Sequence, residues 1–527
     1  MAQMKTPGVY IVEKDAFGNG VVEVATAVPA FIGYTERADN GGKSLINKPT
    51  RITSIGEFMQ FFGGAPSYQY ELKELSIAQA LPKKGKDTDS VSAPVITETP
   101  DLVVKKKQYS LKPGGQSYGL FNSLRLFFQN GGGPCYIVSV GNYSDTIDKD
   151  KLMIEGIKPL LKEEEPTIVA IPEAIKLAKN DCYSVQQAML MHCGKMQSRV
   201  AILDIYDGDR PRNHPEGDVI DNFRAGVGAN FLNFGAAYYP WLNTTIVGDS
   251  ELGLENFTPD SLNVLRGLIM DELGVTKDAG GTDNVKMTEL RALLSHIPNI
   301  NSATYNGPSV EDINKTLIVI SPAFNNILLD IKTQLNLLAP SAAMAGVYTM
   351  VDKARGVWKS PANVSVSAVI KPTVNISHDE QEDLNVTLYG KSVNAIRPFI
   401  GEGVLVWGAR TLDGNSKDWR YINVRRTMIM LEQSIKTAAK AYVFEPNDAN
   451  TWTTMKSMID SFLFNQWKKG ALVGASPDDA YSVSIGLGTT MTADDILEGI
   501  LKITVLVAIS RPAEFIEITF QQQMQKS

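Results

Sequence analysis

Three neighbouring segments constrain the fold more than anything else in the chain. "TIVAIPEA" (167–174) and "RVAILDIYD" (199–207) are continuous apolar runs, and the stretch between them, "CYSVQQAMLMHC" (182–193), reads as a helix. Continuous rather than alternating apolar strands are covered on both faces, and two such strands joined by a helix need a crossover connection. The pattern predicts a parallel α/β layer. "SLRLFFQNGGGPCYIVSVG" adds a helix, a glycine stop and a buried strand from Cys135 to Val140. Residues 21–35, "VVEVATAVPAFIGYT", read as strand material broken at Pro29. With 527 residues and 43% hydrophobic content, the chain has apolar material for roughly two to four domains.

The last third is the most legible. In "NVRRTMIMLEQSIKTAAKAYVFEP", Met428, Leu431, Ile435, Ala438 and Tyr442 form one apolar stripe on a helix, with Glu432 and Lys436 as an i,i+4 pair on the other side. A second helix is expected from about Thr451, with Trp452, Met455, Ile459 and Phe462 at the same spacing. Lys468 and Lys469 occupy its last turn and Gly470 is its stop. "YSVSI" (481–485) alternates as a strand, a short helix follows from Thr492, and 500–509 is another strand. This predicts helices packed on a small sheet. Pro512 then releases the chain, because proline cannot donate to a ladder. Beyond it, residues 514–521 again read as a strand, with Ile516, Ile518 and Phe520 on one face and Phe515 on the other. The chain begins in the same way with "PGVYIVE", which contains Val9, Tyr10, Ile11 and Val12. Unpaired strands at both extremities invite pairing with another chain. The segments 82–116 and 250–340 are harder to read. The first, with Pro, Gly, Ser and "VKKKQ", is expected to be a loop; the second is expected to be helices and loops in an insertion.

Motifs that would carry chemistry fall short. "NGGKS" (40–44) resembles the end of a phosphate loop, but Arg37 stands where the leading glycine belongs. "GLGTTM" (486–491) lacks the last glycine of a dinucleotide fingerprint and is expected to be a turn. Cys182, His192 and Cys193 sit on an apolar helical segment and read as core, and the acidic loop around Asp207 and Asp209 misses the calcium-loop pattern. No catalytic residue, metal or cofactor is expected. The net charge of −7 argues against nucleic-acid contact driven by bulk charge. Three cysteines cannot all pair and read as reduced thiols of a cytoplasmic protein. No apolar signal core is present at the start, and "ITVLVAI" is too short to span a bilayer, so no stable membrane insertion is expected.

Several stretches together resemble the contractile tail sheath proteins of phage tails and extracellular contractile injection systems, of the single-chain type. They are "PGVYIVE", "TAVPAFIGYTERA", "FFQNGGGPCYIVSV", "AGVYTMVDKARGVWKSPAN", "GVLVWGARTLDGNSKDWRYINVRR", "VFEPND" and "RPAEFIEI". The resemblance is densest over 342–518 and the first 37 residues. It implies a mixed α/β, multi-domain subunit. The expected divisions are an N-terminal arm and first core strands (1–36), a middle α/β region (37–341), a helices-on-sheet assembly domain (342–511) and a C-terminal arm (512–527). It also implies a homopolymer around an inner tube, with baseplate and terminal cap proteins as further partners. Such a particle is assembled in the bacterial cytoplasm and is a phage tail or tail-like device. On this reading the arms donate strands to neighbouring subunits, across a hinge that contains Pro512. Lys456, Lys468 and Lys469 are candidates to face the tube. Trp407, Arg410, Trp419, Arg425 and Arg426 are expected to be architectural, with Trp407 in a buried strand. The alternative is a cytoplasmic α/β enzyme acting on a phosphorylated or acidic small molecule through the loops near Gly41 or Asp207.

Overall fold

The computed structural model describes residues 20–75, 100–276, 285–302, 304–387 and 390–519. Its centre is a nine-stranded sheet in the order 364–365, 403–407, 394–399, 235–239, 200–204, 168–170, 29–35, 135–142, 50–52. The strands from 394–399 through to 135–142 run parallel, as their continuous apolar sequences require; the flanking strands are antiparallel. Helices Lys179–Met196, Leu120–Gln129 and Ser341–Arg355 bury their apolar faces in the cluster that contains these strands. Cys135, Cys182 and Cys193 are all buried free thiols, and His192 bonds Arg199 at 3.2 Å. Among the described residues no cluster of His, Cys, Asp or Glu could hold a metal.

Pro29 opens the strand Pro29–Thr35 rather than breaking one, a position where its missing N–H costs no ladder bond. Residues 20–28 are in no strand. The expected loop at 82–116 also needs correction. Its part 82–99 lies outside the described residues, but Leu102–Val104 and Lys107–Pro113 form a hairpin that continues onto Tyr70–Leu75. Lys105 and Lys106 are its two-residue turn, both at positive φ, so "VKKKQ" is a hairpin tip. Lys107 pairs with Asp271 at 2.8 Å.

This hairpin and helices Pro259–Leu273, Val285–His296, Val310–Ile320 and Pro322–Leu335 share a second hydrophobic cluster, built on Tyr70, Tyr109, Phe257, Leu265 and Phe324. The two segments with no family-like words therefore build one unit. The main sheet meanwhile takes strands from both sides of residues 36 and 341, so it crosses the divisions expected there. A third cluster holds the last third of the chain. Helix Ala449–Lys469, capped by Asp448 and stopped by Gly470 at φ +88°, packs Met455, Ile459 and Phe462 inward. It lies against an antiparallel pair, Tyr481–Ile485 and Ile503–Val507.

Candidate functional site: the roots of the two chain ends

Helix Ile422–Ala439 joins the clusters. Leu431 is buried in the third cluster, with Met428, Ile435, Ala438 and Tyr442 packed against it, while Ile422 and Ile429 belong to the first. Glu432 does not sit with Lys436 in the expected i,i+4 pair; it lies 3.6 Å from Arg425, seven residues back on the same helix. Arg425 stacks over the rings of Trp419 (4.0 Å) and Phe234 (4.6 Å), and burial lowers its pKa from the ordinary guanidinium value.

The neighbouring Arg426 secures the amino-terminal side. Its guanidinium donates to both oxygens of Asp352 (3.0 and 2.6 Å) and to the carbonyl of Thr26 (3.0 Å). Asp352 also accepts from the Thr26 hydroxyl at 2.6 Å. The Val24 amide donates to Ser434 Oγ (3.1 Å), about two helical turns further on. Thr167 Oγ1 accepts from Val28 N–H and donates to the Thr26 carbonyl, and Lys469 pairs with Glu23 at 2.7 Å. The extended backbone of 20–28 thus finds its hydrogen bonds in side chains of the surrounding elements instead of a ladder.

The carboxyl-terminal side is held by Arg410. This residue is 3% exposed and grips Glu514 through Nε and Nη2 (3.0 and 2.7 Å), while Nη1 donates to the Asn385 carbonyl (2.8 Å). Such a two-pronged guanidinium–carboxylate pair fixes orientation as well as charge. Tyr421 Oη donates to Glu514 at 3.1 Å; burial first, and the Glu514 carboxylate second, raise its pKa, which keeps it a donor. Asn423 donates to the carbonyls of Ser510 (3.2 Å) and Trp358 (2.8 Å). The last backbone bond to the body is Ser510 N–H to Ala471. Beyond Glu514 the chain is bare: Phe515, Ile516 and Ile518 are 73%, 79% and 70% exposed and in no strand. Phe520 and the amino-terminal residues Val9, Tyr10, Ile11 and Val12 lie outside the described residues.

Trp407 corrects an expectation. It ends the strand Gly403–Trp407 at 39% exposure, stacked on Phe399 at 4.5 Å, and lines a groove of about 890 Å³ with Val386, Phe515 and Ile516. Three residues before it, Val404–Val406 are buried; the strand end is where burial stops. Lys456 and Lys468 are exposed, the latter 4.4 Å over the Phe464 ring, whereas Lys469 is engaged by Glu23. The pair Tyr481–Ile485 and Ile503–Val507 has no third strand among the described residues, so each strand keeps an open edge. Of the enzyme alternative's loops, Gly41 and Gly42 form a tight hairpin turn at φ +60° and +85°, not the strand-to-helix turn of a phosphate loop. Asp207 is 3.2 Å from Arg210.

Sequence reasoning found Arg410, Arg425 and Arg426 but not their partners. Asp352 directly follows the stretch "VYTMV" and Glu514 directly precedes Phe515 and Ile516; an acid bordering apolar residues is the signal that could have found them.

The whole fold has counterparts. Residues 415–523 match the family model described as phage tail sheath C-terminal domain. The chain is similar to the anti-feeding prophage helical sheath in its contracted state, at 26% identity and a TM-score of 0.58 over 99% of this chain and 100% of that one. The chain is similar to contractile tail sheath proteins both in its C-terminal domain and in its whole fold. A second similar structure, from the anti-feeding prophage baseplate, gives 26% identity and a TM-score of 0.57 over 99% of this chain and 100% of that chain. The tail sheath protein of Vibrio phage KVP40 is 32% identical over 122 residues, 23% of this chain and 18% of that protein. The sheath family match in the curated phage relatives thus spans less than a third of their length. Among the described residues, no helix is long and apolar enough to cross a membrane.

Proposed function

We propose that this chain is the structural subunit of a contractile sheath, which polymerises around an inner tube and drives it into a target by contraction. The observation that carries the reading is the pair of anchored roots, with exposed residues in no strand just beyond Glu514, in a fold similar over nearly its whole length to a helical sheath. Residues Val9 to Val12 and Phe515 to Phe520 are the donated strands. The open edges of 481–485 and 503–507 are suited to receive such strands from neighbouring subunits, since main-chain bonds supply the link and alternate side chains its register. About five ladder bonds at roughly 0.5–1.5 kcal/mol each contribute several kcal/mol per arm before entropy costs.

In this reading the extended polymer is kinetically trapped, and contraction increases the surface buried between subunits without a nucleotide. The chain does no catalysis. Its partners are further copies of itself, the tube, the baseplate and a terminal cap, and it is assembled in the bacterial cytoplasm before the particle leaves. Lys456 and Lys468 face the tube with weak exposed ion pairs, about 0–1 kcal/mol each, so that the sheath can let go. Lys469 serves the Glu23 root as well. Negative-stain microscopy of the chain produced together with its tube protein tests the proposal. Long hollow cylinders are expected; discrete particles of one or a few subunits would overturn it.

A further inference from the structure

The sequence places the hinge of the C-terminal arm at Pro512, but the bonds lie two residues further on. Glu514 is held by three side chains from three separate elements: Arg410 after the strand 403–407, Tyr421 at the start of helix 422–439, and Asn385 at the end of helix 378–385 (3.4 Å). Its side chain is 17% exposed and that of Arg410 is 3% exposed. Arg511 adds a bond to the Lys417 carbonyl at 2.9 Å. Exposure rises to 73% at the very next residue, Phe515. The other chain end is tied to the same helix, through Arg426 to Thr26 and through Ser434 to Val24. Asn423, one turn before Arg426, holds Ser510.

We infer that Glu514 is the fixed root of the C-terminal arm, that the arm pivots only beyond it, and that helix 422–439 mounts both arm roots as one rigid piece. The inference deepens the sheath reading and rests on it. A pull on one arm passes through Glu514, Arg410 and Tyr421 into the helix, and leaves through Arg426 and Thr26 to the other arm. Arg410 is itself braced by Asn394 of the sheet strand 394–399, which accepts from its amide at 2.7 Å and donates to its carbonyl at 2.8 Å. Subunits can then rotate about flexible residues 515–519 while the distance between the two roots stays constant. Glu514 is a positioning residue: it pairs with no neighbour itself, but it sets where the donated strand starts and how it is aimed.

The test uses the full chain on its tube. Glu514→Ala removes the grip without touching the strand residues of the arm. Its subunit is expected to melt below the parent, because Arg410 is left buried without its carboxylate, but still to fold and form cylinders, of which several-fold fewer should survive contraction intact. The double variant Asn385→Cys/Glu514→Cys should show the same defect when reduced. Joining its two thiols with a short bismaleimide should restore contraction, since the native cysteines are buried and the reagent reaches only the introduced pair. Normal contraction of Glu514→Ala would overturn the inference. So would a cross-linked variant locked in the extended state, which would put the hinge at Pro512. If the parent chain itself forms no cylinders, the sheath reading fails, and that outcome is distinct from both.

Discussion

Replacing Arg426 by alanine removes the hub of the amino-terminal root, and the structure sets the size of the effect. The Arg426 and Asp352 side chains are 3% and 6% exposed. Truncating the arginine leaves the Asp352 carboxylate buried with the Thr26 hydroxyl as its remaining partner here, and it deletes the bond to the Thr26 carbonyl and the stacking over Tyr348 at 4.6 Å. Breaking a buried pair from one side costs about 3–5 kcal/mol, because an uncompensated charge stays behind. The expected loss is therefore about 3–5 kcal/mol, or roughly two to four powers of ten in the local unfolding equilibrium. Urea titration followed by tryptophan fluorescence reads it, since Trp358 and Trp419 flank this helix. The double variant Asp352→Asn/Arg426→Met leaves no charge and should cost much less than the sum of the two single changes. A protease added under native conditions should cut near 20–28 faster in Arg426→Ala than in the parent. A loss below about 1 kcal/mol, with unchanged cleavage, would refute the claim that this pair holds the root.

Trp407→Ala should cost about 1–2 kcal/mol, less than a core tryptophan, because the ring is partly exposed and loses mainly its stacking on Phe399; a urea midpoint shift matching about 3 kcal/mol or more would contradict this. Deleting residues 1–19, or everything after Glu514, should leave a folded monomer by size-exclusion chromatography that forms no cylinders; normal polymers would refute the role of the arms. Lys456→Glu/Lys468→Glu should leave the melting temperature within a few degrees of the parent but reduce sheath on tubes by sedimentation, and undiminished co-sedimentation would assign these lysines to the helix dipole alone. Burial raises the carboxyls of Glu173 to about 7 and Asp204 to about 6. A carboxyl raised in the folded state binds more protons there than when unfolded, so its contribution to stability falls as pH rises from the ordinary carboxylate range through the raised value. Glu173→Gln should therefore flatten the decline of melting temperature between pH 5 and 8, and an unchanged slope would show that this group is not the source.

Much of the fold was written in local pattern. The apolar runs at 135–140, 168–171 and 200–205 became parallel strands because no exposed alternation was present to place them at a surface. The stripes of helices 422–439 and 449–469 marked their buried faces, and Gly470 marked a stop that its φ requires. The hairpin 102–113 was illegible for an equally local reason. Its buried residues, Tyr109 to Leu111, are few, and the lysines of its turn and edges dominate the composition. Trp407 misled because an aromatic after Val404–Val406 looks like a fourth buried residue, and only the position of the strand end shows otherwise.

By itself the sequence determined that the chain has a parallel α/β centre and a helical region in its last third, and it raised the expectation of strands at both extremities. The arginines of "VWGARTL" and "YINVRR" were also visible as fixed points. Which acids they grip was decided by the tertiary structure alone. Arg410 meets Glu514 across 104 residues of chain, and Arg426 meets Asp352 across 74. Helical and strand periodicity reports what lies within a few residues. A charge pair of that separation exists only once the sheet and the third cluster have brought its partners within 3 Å and removed the water between them.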